Sequence, residues 1–397
     1  MAQQIKIDKI ITFLKTKRII PIIQILLVLI IVFNVGSVLW QNRQLYTYNY
    51  WSNFPKLEKI FLNSQYVNKH PVWIRDEVAF SYAGGKLIKG TNPVLVVPDA
   101  PPLGKYIIGL STIIFNNAGV FVALSGILSL VLLYFLSLQI YGSRTLSLLP
   151  PLFVSFEQIF KNQFIYTPLL DLFQLLFLLC GFLFFNKALR SKNSLFLFLL
   201  SNIFLGLFIS TKFFVTGLVI VAAYYLVLFL SKEKKRIIQY SLSLPVAIFI
   251  LLFSYVRVFA FGYNIHAFLG IQKWVFLYHK SFLILPFSIW PLLLFNQWHV
   301  WFGNKPVISD SQWSITWPFI TSISLIVIIF YIFKKIPHNK NIEVLMIWSI
   351  FYLLFFSVGE ITSRYFVILI PVLYVISIYG LIEAFKFLKK FLGNFKF

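Results

Sequence analysis

The sequence predicts an all-α, polytopic transmembrane helix bundle of about ten spans, and three observations carry that prediction. Hydrophobic residues fill 59% of the 397 positions and charged residues only 12%, whereas soluble domains carry roughly a quarter charged residues. The apolar residues come in blocks of about 17–25, the length that crosses a hydrocarbon core of about 30 Å at about 1.5 Å per residue. Lys and Arg gather in the short segments between blocks. The net charge of +23 therefore reflects topology. Nucleic acid is excluded as its explanation, because no basic face interleaved with aromatics is present.

A basic start (Lys6, Lys9, Lys15, Lys17, Arg18) runs into the first span, 19–40. That block is too long for a cleaved signal core and lacks a convincing A-x-A site, so it reads as a signal anchor with a cytoplasmic N-terminus. Further blocks begin near Ala118, Thr145, Phe164, Ser194, Phe213, Ile237, Ile315, Glu343 and Arg364. Alternation from a cytoplasmic start places Arg144, Lys187/Arg190/Lys192, Lys232/Lys234/Lys235/Arg236, Lys334/Lys335/Lys340 and Lys386/Lys389/Lys390/Lys396 inside. Each agrees with the positive-inside rule.

Two larger pieces fall outside, 41–117 and 262–314, flanking the central spans 118–261; the C-terminal spans and basic tail occupy 315–397. The second outer piece contains an apolar stretch, Ser281–Phe295, interrupted by Pro286 and Pro291. It is either interfacial or re-entrant, or a span that changes the parity of the later blocks. No repeat, linker or separately folding soluble unit interrupts this single membrane domain, 1–397. The lone Cys180 lies in an apolar block, so no intrachain disulfide forms, and zinc spacing is absent.

With only 12 acidic residues, the position of each is informative. Asp76-Glu77 opens a polar stretch of the first outer piece. It reads either as a solvated acid pair at a helix start, favoured by the macrodipole, or as a general base or metal ligand at the membrane surface. Asp99-Ala100-Pro101-Pro102-Leu103-Gly104-Lys105 joins an acid, a rigid double proline and a cation ahead of an apolar stretch. It is a helix-start signal or part of a site, with Lys105 snorkelling or binding an anion. Asp171 is expected about two turns inside its span, where an ionisable group is costly and function is the default reading; Pro168 is expected to loosen the helix beside it.

Lys212, Arg257 and Arg364 share the outer side. Each is a snorkelling anchor alone, but together they suit a phosphate at the outer leaflet. The run from Asn296 to Phe319, with Trp298 and Trp313, offers stacking surfaces for a sugar or an ordinary interfacial aromatic belt.

The order Asp76-Glu77, Tyr82, Gly90-Thr91-Asn92-Pro93, Asp99 through Lys105, then Asp171, Lys212 and Arg364-Tyr365 ahead of Pro371 resembles the GT-C glycosyltransferases. Within them it is similar to the protein O-mannosyltransferases (family 39) and the lipid A aminoarabinose transferases. Two positions depart from that pattern: Ala100 stands where His commonly precedes the double proline, and Tyr166 where an Arg is expected before Asp171.

The resemblance implies a multi-pass enzyme of the plasma membrane with its site on the extracytoplasmic side. It would transfer a hexosyl or pentosyl group, with inversion, from a polyprenyl-phosphate donor to a glycan, lipid or protein acceptor. Asp76 would be the general base with Glu77 beside it. Lys105, Arg257, Arg364 and Lys212 would hold the donor phosphate, and Tyr82, Asp99, Pro101, Pro102, Trp298 and Trp313 would line the substrate pocket. A divalent metal would sit on Asp76 and Asp171; no nucleotide cofactor is expected, since no Gly-rich nucleotide loop is present. The rival readings are a transporter or flippase of lipid-linked sugars, or a glycan polymerase or ligase.

Overall fold

The computed structural model describes residues 19–281, 285–300, 304, 306–333, 335–336, 339–359 and 361–394. The basic residues before Ile19, together with Lys334 and Lys396, lie outside the described residues. The first helix, α1 (Ile19–Gln41), has no charged residue and buries only Asn34, Val35 and Val38. An uncharged, largely apolar surface this open is what a membrane span presents to lipid. Two of its polar side chains reach the bundle: Asn34 Nδ2 donates to Ser155 Oγ at 3.0 Å and Gln24 Nε2 to Thr145 Oγ1 at 2.9 Å.

The first piece expected outside, 41–117, is helical: α2 (Gln44–Thr47), α3 (Tyr50–Leu62), α4 (Asp76–Ile88), a 3-10 turn at Pro93–Leu95, and α5 (Leu103–Phe115). Asn49 caps α3 by accepting from the Ser52 amide at 3.0 Å, the bond that side chain is suited to make at a helix start. Tyr50 then ties α3 to α4 by donating to the Ser81 carbonyl at 2.7 Å. α4 and α5 approach backbone to backbone. A Cβ on Gly84 would lie 3.0 Å from the Gly109 amide nitrogen, and one on Gly109 only 2.5 Å from the Gly84 carbonyl oxygen.

The membrane part continues with α6 (Val120–Tyr141), α7 (Leu149–Phe156), α8 (Gln158–Ile165), α9 (Asp171–Ala188), α10 (Ser194–Ile209), α11 (Val215–Leu230), α12 (Lys234–Ser243), α13 (Pro245–Ser254) and α14 (Val256–Ala260). α15 (Ile265–Ser281), α16 (Ile289–Phe295) and a two-stranded antiparallel ribbon, β1 (Trp298–His299) with β2 (Val307–Ile308), make up the second outer piece. α17 (Thr316–Ile332), α18 (Lys340–Ser357) and α19 (Phe366–Asn394) close the chain. α9 is buried on nearly every face and packs on α6, α10, α18 and α19. Buried on most sides, it is the central post of the bundle.

Among the described residues, six helices are long and apolar enough to span: 19–41, 120–141, 171–188, 234–254, 340–357 and 363–389. Five shorter apolar helices accompany them. The block expected from Thr145 is not one helix, because the chain turns at Glu157 between α7 and α8. Nor does Asp171 lie two turns inside a span: it is the first residue of α9. In the stretch Ser281–Phe295, residues 282–284 lie outside the described residues and α16 is seven residues long. At about 1.5 Å per residue it covers only about 10 Å, too little to span.

The glycine contact sets the geometry of the first outer piece. Gly109→Ala is expected to separate α4 from α5 and to cost about 1–3 kcal/mol, as overpacking does. Thermal melting of the purified protein in detergent checks it, and an unchanged melting temperature would show that the two backbones have room to part.

Candidate active site

Four charged residues from four separate segments meet at one end of the bundle. Asp76 opens α4 and Asp171 opens α9. Lys212 lies in the turn between α10 and α11, and Arg364 in the 3-10 turn Ser363–Tyr365 just before α19. The Arg364 guanidinium joins the two acids, with Nη2 2.6 Å from Asp76 Oδ2 and Nε 3.2 Å from Asp171 Oδ2. Lys212 Nζ takes the other oxygen of Asp171 at 2.6 Å and stands 4.8 Å from the centre of the Tyr365 ring. Both carboxylates occupy helix N-termini, where the backbone dipole favours negative charge. Two acids face two cations, so the cluster is neutral as a whole.

Local sequence explains why these residues converge. The Leu103 amide donates to the Ser210 carbonyl at 3.0 Å, laying the Pro-Pro-Leu-Gly segment against the turn that carries Lys212. Gly104 makes that approach possible: a Cβ there would lie 2.7 Å from Leu170 Cδ2 and 3.0 Å from Thr211 Cγ2. Leu170 and Thr211 directly precede Asp171 and Lys212. The Arg364 turn is held twice. Thr362 Oγ1 accepts from the Arg364 amide at 3.2 Å, and Ser363 Oγ donates to Asp310 Oδ2. Asp310 is itself fixed by its amide, which donates to Asn296 Oδ1 at 2.7 Å, so the second outer piece clamps Arg364.

Beside the cluster is a cavity of about 240 Å³. Asp171, Lys212, His279 and Lys280 give it a polar edge, and Phe213, Phe276, Phe355 and Ile368 an apolar interior. His279 Nε2 lies 3.2 Å from the Asp99 carbonyl oxygen, connecting the two outer pieces above it. Partial burial pushes the Asp76 carboxyl up, but the Arg364 guanidinium outweighs it and holds the group below the usual carboxylate range. Asp99 goes the other way: burial raises it, Lys105 opposes that, and the Asp76 charge adds to the rise.

Other residues singled out in the sequence stand apart from this cluster. Lys105 is fully buried and donates to the carbonyls of Val97 (2.6 Å), Ala100 (2.8 Å) and Val96 (3.4 Å). An ammonium has three protons, and here all three hold the loop before α5 rather than a phosphate. Arg257 donates to the Leu87 carbonyl and lies over the Tyr106 ring. Glu77 faces Arg75 at 3.9 Å. Tyr82 is packed on Phe61 with its hydroxyl 3.3 Å from Glu58 Oε1, and Pro101 and Pro102 are buried. Trp298 and Trp313 donate inward to the carbonyls of Ile361 (3.0 Å) and Leu293 (3.2 Å). These bonds fasten the second outer piece; the indoles do not line the cavity. Residues 301–303 and 305 of that aromatic run lie outside the described residues.

The expected metal on Asp76 and Asp171 meets a physical obstacle. The space between the two carboxylates is taken by the Arg364 guanidinium, and Lys212 holds the remaining oxygen of Asp171. Among the described residues, no group of three His, Cys, Asp or Glu side chains is placed to hold a metal ion. A divalent cation does not fit beside two such cations.

The sequence reading also missed His279, Lys280, Asp310 and Glu157. Glu157 is a buried carboxylate that accepts from Thr316 Oγ1 (2.6 Å), Trp317 Nε1 (3.0 Å) and the Tyr374 hydroxyl, joining α8 to α17 and α19. The rarity of acids in this chain was the available signal for Asp310 and Glu157.

Residues 99–258 match the family model described as dolichyl-phosphate-mannose-protein mannosyltransferase, a stretch that contains Asp99, Lys105, Asp171, Lys212 and Arg257. The structure is similar to that of ArnT from Cupriavidus metallidurans bound to undecaprenyl phosphate, with a TM-score of 0.58 and 15% identity. The fold is of the GT-C type. That likeness covers 84% of this chain and 59% of ArnT. The archaeal oligosaccharyltransferase AglB from Archaeoglobus fulgidus, in complex with an inhibitory peptide and a dolichol-phosphate, is similar at a TM-score of 0.51 and 14% identity, over 95% of this chain and 52% of AglB. An apo Archaeoglobus fulgidus oligosaccharyltransferase gives 0.53 and 14%, over 96% and 52%. The chain thus spans a little over half the length of these GT-C proteins. No curated protein matches it by sequence.

The depressed Asp76 carboxyl bears on stability. A carboxylate that is more acidic in the folded state stabilises the fold above its ordinary value of 3.8 and loses that contribution as pH falls through the folded value. Asp76→Asn is therefore expected to melt below the parent at neutral pH, with the gap closing on acidification below about pH 4. Parallel melting curves against pH read this directly; a gap that shows no narrowing at any pH below about 4 would mean the ion pair is not its source.

Proposed function

We propose that this integral membrane protein is a glycosyltransferase that moves a sugar from a polyprenyl-phosphate donor to an acceptor hydroxyl or similar group on the extracytoplasmic face, with inversion. The observation that carries the reading is Arg364, which joins Asp76 to Asp171 beside an apolar cavity edged by Lys212 and Lys280. The isoprenoid tail lies along the phenylalanine side of the cavity. Its phosphate meets the cations at the polar edge, which stabilise the negative charge that grows on it as the sugar–oxygen bond breaks. Asp76 accepts the acceptor's proton as the acceptor oxygen attacks the anomeric carbon. The structural likeness to ArnT bound to undecaprenyl phosphate and to AglB in complex with a dolichol-phosphate supports a lipid phosphate of this class.

The ion pair adds an order to these events. Paired with Arg364, Asp76 lies below the usual carboxylate range, which makes it a weak base. A donor phosphate competes for the same guanidinium, and each share of charge that Arg364 gives the phosphate returns basicity to Asp76. Base activation thus waits for donor binding.

With the full chain in liposomes containing a polyprenyl-phosphate sugar, release of polyprenyl phosphate in the presence of acceptor measures turnover. Asp76→Asn is expected to lower it by about 10²–10⁴-fold, the usual contribution of a positioned base, without loss of folded protein. A fully active variant removes Asp76 from this role. Because a metal does not fit between Asp76 and Asp171, EDTA is expected to leave the rate unchanged; a rate that collapses on chelation and returns with Mg²⁺ or Mn²⁺ would put a metal back into the reaction.

A further inference from the structure

The opposite end of the bundle carries a second and larger cavity, of about 560 Å³. Its place is set by the helices that frame it. Arg190 lies two residues beyond the end of α9, whose first residue is Asp171, about 27 Å away along an 18-residue helix. Lys340 opens α18, and Lys386 is near the end of α19, which starts beside Arg364. These three cations line the cavity with Tyr141, Tyr379 and a single carboxylate, Glu383.

The cations are not fully neutralised by their neighbours. Lys386 pairs with Glu383 at 2.7 Å and Lys340 with Glu233 at 3.1 Å. Among the described residues, the Arg190 side chain has one long bond, 3.4 Å from Nη2 to the Gln139 carbonyl. One guanidinium thus lines the cavity without a carboxylate among the described residues, beside two ammonium groups that are 40% and 65% exposed and each paired with one acid. An anion with several oxygens satisfies such a set better than water does.

The surroundings indicate what carries that anion. On α19, Phe387 lies one turn beyond the lining residue Glu383 on the same face of the helix and is 69% exposed. A small soluble anion gains nothing from an apolar flank. A lipid gains both, since its headgroup reaches the cations while a chain covers the exposed ring. We propose that this cavity binds the phosphate headgroup of an anionic phospholipid, with an acyl chain against Phe387 at the cavity's edge on α19. This site is separate from the Asp76 cluster and independent of the reaction proposed there.

The test uses the purified full chain in detergent with phosphatidylglycerol, phosphatidylcholine or inorganic phosphate, read by native mass spectrometry and thermal melting. Phosphatidylglycerol is expected to remain bound and raise the melting temperature, and the other two to do neither. Replacing Arg190→Gln with Lys386→Gln is expected to weaken phosphatidylglycerol binding on the order of tenfold, given the usual gain per cation near anionic lipid. Lys192→Gln with Lys235→Gln removes equal charge from the surface outside the cavity and is expected to have little effect. Lys386→Gln alone, at a side chain 65% exposed, gives a folded variant should the pair prove unstable, with a smaller loss. Equal weakening by the cavity and control pairs would overturn the proposal, as would a shift reproduced by inorganic phosphate or equal retention of phosphatidylcholine.

Discussion

The guanidinium of Arg364 lies between two carboxylates, and the arrangement of this end of the molecule depends on that contact. A single planar cation reaches Asp76 through one nitrogen and Asp171 through another. Lysine offers one point of charge and cannot bridge in this way. Through Arg364 the first outer piece, the central helix α9 and the start of the last helix are held in one geometry. Lys212 extends the network to the turn between α10 and α11.

Such a network is costly to assemble, because Asp171 is only 3% exposed and must leave water to join it. The desolvation of buried charges commonly exceeds their mutual attraction, so an ion cluster is weak evidence for stability alone. What compensates here is position. Both acids open helices, so two backbone dipoles support them. The supporting contacts are short-range and steric as much as electrostatic. Gly104 allows the loop before α5 to press on Leu170 and Thr211, and the Asp310–Ser363 bond holds the Arg364 turn from the second outer piece. The charged residues meet because uncharged neighbours permit it.

The membrane fold was legible in the sequence because hydrophobic blocks and the charges between them report on the solvent around each segment. The four cluster residues were legible for a related reason: Asp171, Lys212 and Arg364 interrupt or border apolar blocks, and Asp76 belongs to one of few acids in the chain. Lys105 and Arg257 share that signature, yet both spend their charge on backbone carbonyls. A sequence shows a cation but not the carbonyls that a loop folds around it. Tyr82, Trp298 and Trp313 went the same way, since an aromatic at a membrane surface and one packed inward look alike in one dimension. Hydropathy also ran through Glu157, because a long window tolerates one acid. Only the structure shows that carboxylate meeting Thr316, Trp317 and Tyr374 at a break between α7 and α8.

The same ion pair that organises the site also restrains it. A carboxylate positioned as a base but paired with arginine is a poor proton acceptor, and a carboxylate left free in a buried site would resist ionisation instead. Asp99 illustrates the second case, pushed up by burial close to Asp76. Asp76 illustrates the first. Between these limits, an arginine shared with an exchangeable anion gives a base whose strength depends on what occupies the neighbouring cavity. In the proposed reaction, a ligand with its own negative charge would draw Arg364 away, and a lipid-phosphate donor would bring that charge together with the sugar to be transferred.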